Sequence, residues 1–198
     1  MKKQFNNRLG RMVYEIFAGE YVAVNKKENA VISTLLGSCV SVCLHDPKAK
    51  VSGMNHFMLP GKISSEELLV SEDARYGIYS MEVLINEMLK RGAEKPRIKA
   101  KVFGGGKVLN NTSSMGNVSK ANIEFTQTFL KMENIPVISN DVGKNVGRKL
   151  FFYPETFTIY VKKITYGTSV EEAVNRDKRF FERMEKDRAE SGDVTLFD

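Results

Sequence analysis

Hydrophobic and polar positions change period several times along this chain, and each change marks an element. The first 36 residues alternate in short bursts, "RMVYEIF", "YVAVN" and "AVISTLL", broken by the polar "AGE" and "KKEN". A two-residue period predicts half-buried strands. "CVSVCLH" and "KVSGMNHFML" continue it on either side of the turn residues "DPKA". The period then lengthens. From about Asp73 to Arg91, Ile78, Met81, Leu84, Ile85, Met88 and Leu89 recur at threes and fours, and Gly92 supplies a stop. That spacing predicts an amphipathic helix. The strand "RIKAKVFGGG" follows, then a loop rich in Gly, Asn and Ser, then a second helix from roughly Lys120 to Glu133. "PVISNDVG" and the hairpin "GRKLFFYPETFTIYVKKI" read as further strands. A last helix opens at "TSVEE", where Thr168 or Ser169 can cap and Glu171 or Glu172 can complete a capping box. Strands outnumber helices and mostly connect through hairpins, which predicts an α+β fold with mixed or antiparallel sheets.

Composition narrows the picture. A chain of 198 residues with 42% hydrophobic content suits one domain with a real core. No run of about 18 apolar residues is present, so no membrane span is expected. The N-terminus "MKKQFNNRLGRMVYEIF" lacks the apolar stretch of a secretory signal. A cytoplasmic location with reduced thiols is the expectation. The net charge of +6 comes from 30 Lys and Arg spread among 24 acids, without a dense basic block. Nothing resembles a nucleic-acid-binding motif. The surplus reads as a solvated surface, or as an aid in approaching an acidic protein partner.

The reactive residues are crowded. Cys39, Cys43, His45 and His56 are the chain's only cysteines and histidines, and all lie between positions 39 and 56. On a strand, Cys39 and Cys43 would stand roughly 13 Å apart, too far for a disulfide, which needs less than about 7 Å. Asp46-Pro47-Lys48-Ala49 fits a type I turn. With Pro47 and Lys48 central, opposed residue numbers sum to 95, and Cys39 faces His56 on the same side of the hairpin. A thiol beside an imidazole is the apparatus of cysteine catalysis, with His as base and then acid. Gly37 and Ser38 allow a backbone turn just before Cys39, whose N–H could serve an oxyanion hole. The hydroxyls of Ser33 and Thr34 are candidates to orient the base. The alternatives are a buried apolar role for the thiols, especially Cys43, a solvated strand end at His45, and a metal module built from all four residues. "FGGGK" and "GKNVGRK" do not fit the phosphate-loop pattern and read as turns or close backbone approaches.

"LLGSCVSVCLHDP" followed by "GMNHFMLP" resembles the CheD family of chemoreceptor glutamine deamidases, and the resemblance continues through "RYGIYSMEVLINEMLKRGA", "KVFGGG" and "NDVGKNVGRKL". It implies a core over 20–165, an N-terminal extension over 1–19 that can add a strand, and a C-terminal amphipathic helix and tail over 166–198. It also implies a layered α/β sandwich with helices flanking the sheets, and hydrolysis of receptor glutamine side chains to glutamate without metal or organic cofactor. The family's cysteine falls on Cys39 and its histidine on His56. Its threonine, six positions before the cysteine, falls on Ser33 when counted without a gap, with Thr34 adjacent. Ser119, Ala121 and Lys144 depart from the residues common in the family. Methyl-accepting chemotaxis receptors are the implied substrates, and the phosphatase CheC an implied partner.

Overall fold

The computed structural model describes residues 1–59, 71–108 and 116–165, together with 171, 175, 176, 178–180, 182–184 and 186 of the tail. The expected cap at Thr168 or Ser169 lies outside the described residues. The first sheet holds β1 (Lys2–Asn6), β2 (Arg11–Glu15), β4 (Ala30–Leu36), β9 (Gly147–Tyr153) and β10 (Thr158–Ile164), in the order β1-β2-β4-β9-β10. The second holds β3 (Glu20–Asn25), β5 (Val40–Asp46), β6 (Val51–His56), β7 (Lys99–Gly104) and β8 (Val137–Val142), in the order β3-β6-β5-β7-β8. Each sheet is mixed: β2 runs parallel to β4 and β7 parallel to β8, while the other pairs are antiparallel.

Helices α1 (Glu72–Lys90) and α2 (Gly116–Met132) cover the second sheet, α1 against β3 and β6 and α2 against β5. This makes two apolar layers. Val40, Val42, Leu44 and Phe57 join the helix-side core with Met81, Leu84, Met88 and Phe125. Cys39, Cys43, Met54 and Met58 join Ile32, Leu36, Leu150 and Phe152 between the sheets. Strands β4, β5 and β6 are buried along their whole length because both faces are covered. Ser71 caps α1, accepting from the Ala74 N–H at 3.2 Å, and Gly92 ends it at φ +95°. Leu89, expected on the apolar stripe, is exposed instead.

The β5–β6 hairpin differs from expectation in its turn. The last paired residues are Asp46 and Val51, so four residues rather than two form the loop. Lys50 adopts a left-handed φ of 54° and its N–H bonds the Asp46 carbonyl at 2.9 Å. The Asp46 carboxylate accepts from the N–H groups of Lys48 (2.9 Å) and Ala49 (3.1 Å), which holds the longer loop shut. Opposed residues therefore sum to 97 (Cys43 with Met54, Leu44 with Gly53), not 95. A shift of two leaves every side chain on its original face.

Asp46 is also buried against Arg97, whose guanidinium approaches to 2.9 Å, and it accepts the Glu94 N–H at 2.8 Å. Burial alone would raise its pKa, but Arg97 and the backbone donors outweigh that and hold the carboxyl well below the usual range. A depressed folded pKa gives stability that is present above the unfolded pKa of about 4 and lost as pH falls further. Asp46→Asn should cost about 1–3 kcal/mol near neutral pH, measured by urea denaturation. The gap from the parent protein should stay constant between about pH 5 and 7 and shrink below about pH 4. A gap that persists undiminished in acid would contradict this assignment.

Candidate active site

The chain leaves the first sheet at Leu36 and enters the second at Val40, so Gly37, Ser38 and Cys39 form the crossing. Backbone bonds fix it from one side, Gly106 N–H to the Gly37 carbonyl (2.8 Å) and Gly105 N–H to the Cys39 carbonyl (2.7 Å). The "FGGG" glycines permit this contact. A Cβ on Gly104 (φ +111°) would stand 2.2 Å from the Cys39 carbonyl oxygen. These are close backbone approaches, as the sequence suggested. Arg148, fully buried, braces the adjoining 141–146 segment by donating to Asp141 (2.9 Å), the Gly143 carbonyl (2.9 Å) and the Val146 carbonyl (3.1 Å), and it reaches the Gly104 carbonyl at 3.5 Å.

From the other side comes Asn122 of α2, also fully buried. Its amide donates to the Ser38 carbonyl at 3.0 Å and its oxygen accepts the Leu59 N–H at 2.7 Å. One side chain thus ties the Cys39 crossing to the segment just beyond His56.

Val40 and Phe57 exchange both backbone bonds at 3.0 Å, placing Cys39 and His56 on opposite sides of a paired rung. By the 97 register His56 opposes Ser41 and Cys39 opposes Met58. The direct opposition of Cys39 and His56 is therefore corrected to a diagonal one, with backbones about 7–8 Å apart and side chains on the same face. That face looks into the space between the sheets.

The base is oriented across that space. Thr34 Oγ1 lies 2.7 Å from His56 Nδ1 and donates its proton to the Ile16 carbonyl at 2.8 Å. A hydroxyl has one proton to give, so toward the ring it accepts. His56 therefore carries its proton on Nδ1 and leaves the Nε2 lone pair free. Of the two candidate hydroxyls, Thr34 and not Ser33 meets the ring. Successive residues of a strand face opposite ways, and Thr34 shares its face with Ile32 and Leu36 of the inter-sheet core. Ser33, one position off, is turned from the ring.

His56 is 4% exposed, and its Nε2 is buried without a hydrogen-bond partner. Burial pushes its pKa down to about 3; the Ile16 carbonyl works the other way, and Arg176 and Lys149 lower it further. The resting imidazole is neutral. Tyr76 stands nearby, half-buried, its phenol pushed up to about 12 by burial with a further contribution from Cys39.

A pocket of about 410 Å³ opens at His56. Phe17, Ala18 and Leu35 line it, with Arg176, Arg179, Phe180 and Arg183 from helical residues of the tail. Cys43 and His45 take no part. Cys43 is buried in the strand, which pushes its thiol well up. His45 is not a solvated strand end: it is 9% exposed, stacks on Phe157 with centroids 5.0 Å apart and lies 2.8 Å from Ser52 Oγ.

A family model described as "CheD chemotactic sensory transduction" matches residues 58–163, just beyond the candidate pair. Curated relatives extend the likeness across that pair. "Probable chemoreceptor glutamine deamidase CheD 1" of Shewanella oneidensis is 42% identical, covering 98% of this chain and 92% of its own. The corresponding protein of Janthinobacterium sp. is 40% identical over 98% of this chain and 93% of its own. The chain belongs to the CheD family. In this CheD chain the hydroxyl that meets His56 belongs to Thr34, five positions before Cys39.

Asn122 and Tyr76 were not singled out from the sequence. Asn122 had a readable signal. It sits among Val118, Ala121, Phe125 and Phe129 on the apolar stripe of α2, where a polar side chain needs a buried partner. Asn122→Ala leaves the Ser38 carbonyl and Leu59 N–H unpaired and should lower stability by about 2–5 kcal/mol. Chemical denaturation checks this, and a loss below about 1 kcal/mol would contradict the clamp.

Proposed function

We propose that this protein is a cysteine-dependent protein-glutamine deamidase, hydrolysing glutamine side chains of methyl-accepting chemotaxis receptors to glutamate in the cytoplasm. The observation that carries the reading is the buried His56, held by Thr34 on the face of Cys39, with an unpartnered Nε2 and a ring that lines a pocket. Support for the substrate comes from the relatives, which are named as probable chemoreceptor glutamine deamidases. Among the described residues no helix is long and apolar enough to cross a membrane.

In this mechanism Cys39 Sγ attacks the amide carbon of glutamine as its proton passes to His56 Nε2. Because the imidazole's pKa is low, the proton moves as the C–S bond forms rather than beforehand. In this reading a backbone N–H beside Cys39 receives the developing oxyanion. Collapse breaks the C–N bond, and the imidazolium proton leaves with ammonia. A water that gives its proton to Nε2 then attacks the thioester. Glutamate is released and the proton returns to Cys39. The scheme uses no metal or organic cofactor. CheC, a chemotaxis phosphatase, is the regulatory partner that this family reading brings with it.

Cys39→Ala should abolish ammonia release from receptor fragments and the accompanying gain of about one dalton per site by mass spectrometry. Retained turnover would reject the nucleophile. Thr34→Val should lower kcat by about 10²-fold or more, while Ser33→Ala stays within a few-fold. The reverse ranking would return the orienting role to Ser33.

A further inference from the structure

The β5–β6 ladder is interrupted beside the reactive pair. Paired residues run from Asp46 with Val51 to Cys43 with Met54, and pairing resumes at Val40 with Phe57. Ser41 and Val42 on β5, and Asn55 and His56 on β6, are left out of it. Opposed numbers sum to 97 on both sides of the gap, so no residue is inserted and the gap is not a bulge. A side chain has instead taken the place of a backbone group. The Val42 N–H donates to Asn55 Oδ1 at 2.9 Å, and the Asn55 carbonyl accepts the Ser41 hydroxyl at 2.5 Å. The Asn55 amide nitrogen donates to the carbonyl and the hydroxyl of Ser80 on α1, each at 3.3 Å. Along its other edge β6 keeps regular pairing with β3, Asn55 with Tyr21 and His56 with Glu20. Both Asn55 and Ser41 are fully buried.

Every residue carries a backbone carbonyl, so an ordinary rung at this point would need no particular side chain. Local rules are broken mainly where function needs a special geometry. On one face of a regular ladder, diagonal neighbours such as Cys39 and His56 stand about 7–8 Å apart, a reach that suits long side chains. Cysteine is short. Ser41 opposes His56 on the same register and shares the inter-sheet face with Cys39 and Cys43. Its small side chain is turned back onto the backbone, which leaves the ring room. We propose that Asn55 and Ser41 are positioning residues: by replacing one rung of the ladder they set the lean of His56 toward Cys39. His56 is then held at three points. Thr34 meets Nδ1 at 2.7 Å, the Gly19 N–H holds the His56 carbonyl at 2.8 Å, and Asn55 ties the preceding backbone to β5 and α1. The inference rests on the reading of Cys39 and His56 as a reactive pair.

The test measures coupling between Cys39 and His56 in the full-length protein, without requiring turnover. Alkylation of Cys39 by iodoacetamide is followed by peptide mass spectrometry, which separates it from Cys43. In the parent, His56→Ala should slow alkylation near pH 7 by about tenfold, because the base that takes the thiol proton is gone. In an Asn55→Ala background the same change should make a difference of less than about twofold. On receptor fragments, Asn55→Ala should lower kcat by about tenfold or more with KM within about twofold. Ser41→Ala should move both readouts the same way by about threefold. It carries the test alone if melting temperature shows that Asn55→Ala does not fold. Asp46→Asn, which loosens the other end of the same hairpin, controls for lost stability and should leave coupling and kcat within about twofold. Undiminished coupling in the variants, a rise in KM with kcat unchanged, or equal losses in the Asp46→Asn control would overturn the proposal. Absent coupling in the parent would reject the pair itself and the proposal with it. Coupling that is present in the parent and lost in the variants supports the proposal even if the parent releases no ammonia; missing turnover counts against the deamidase reading alone.

Discussion

The hydrogen bond between Thr34 and His56 is the constraint on which the rest of the site depends. It crosses the sandwich, from β4 in one sheet to β6 in the other, and is completed by the Ile16 carbonyl just beyond β2. In a dry interior such a bond is strong when made and costly when broken. It fixes where the ring sits and which nitrogen carries the proton. The same burial keeps the ring neutral at rest.

Cys39, the proposed nucleophile, is held by a second, independent set of contacts. Cys39 lies on a three-residue crossing between sheets rather than inside a strand; Gly105 claims its own carbonyl, and Gly106 and Asn122 claim those of Gly37 and Ser38. Arg148 anchors the 141–146 segment, which bonds the glycine loop through the Gly143 N–H to the Gly104 carbonyl at 2.9 Å. Rigid support of this kind holds Cys39 on the same inter-sheet face as His56.

Much of this was legible along the chain because strand period, turn residues and helix spacing are local. The strands from "RMVYEIF" to "YVKKI" and both helices fall close to where alternation and threefold spacing put them. The hairpin face was also readable, since parity survives a shift of two. The loop length was not: Asp46 caps a four-residue turn through its side chain, a choice that the turn sequence leaves open. Ser33 and Thr34 are adjacent hydroxyls on one strand, and only the position of the second sheet decides which meets the ring. Asn122 acts on two segments far away in sequence, so its partners could not be read from spacing.

The account stands on His56 being a neutral imidazole with its proton on Nδ1. Nitrogen-15 NMR of the two histidines in the resting protein measures this directly, with His45→Gln giving the assignment. The predicted result is a His56 spectrum with protonated Nδ1 and unprotonated Nε2 that does not titrate near the ordinary value of about 6.5. A proton on Nε2, or a fully protonated ring near neutral pH, would contradict it.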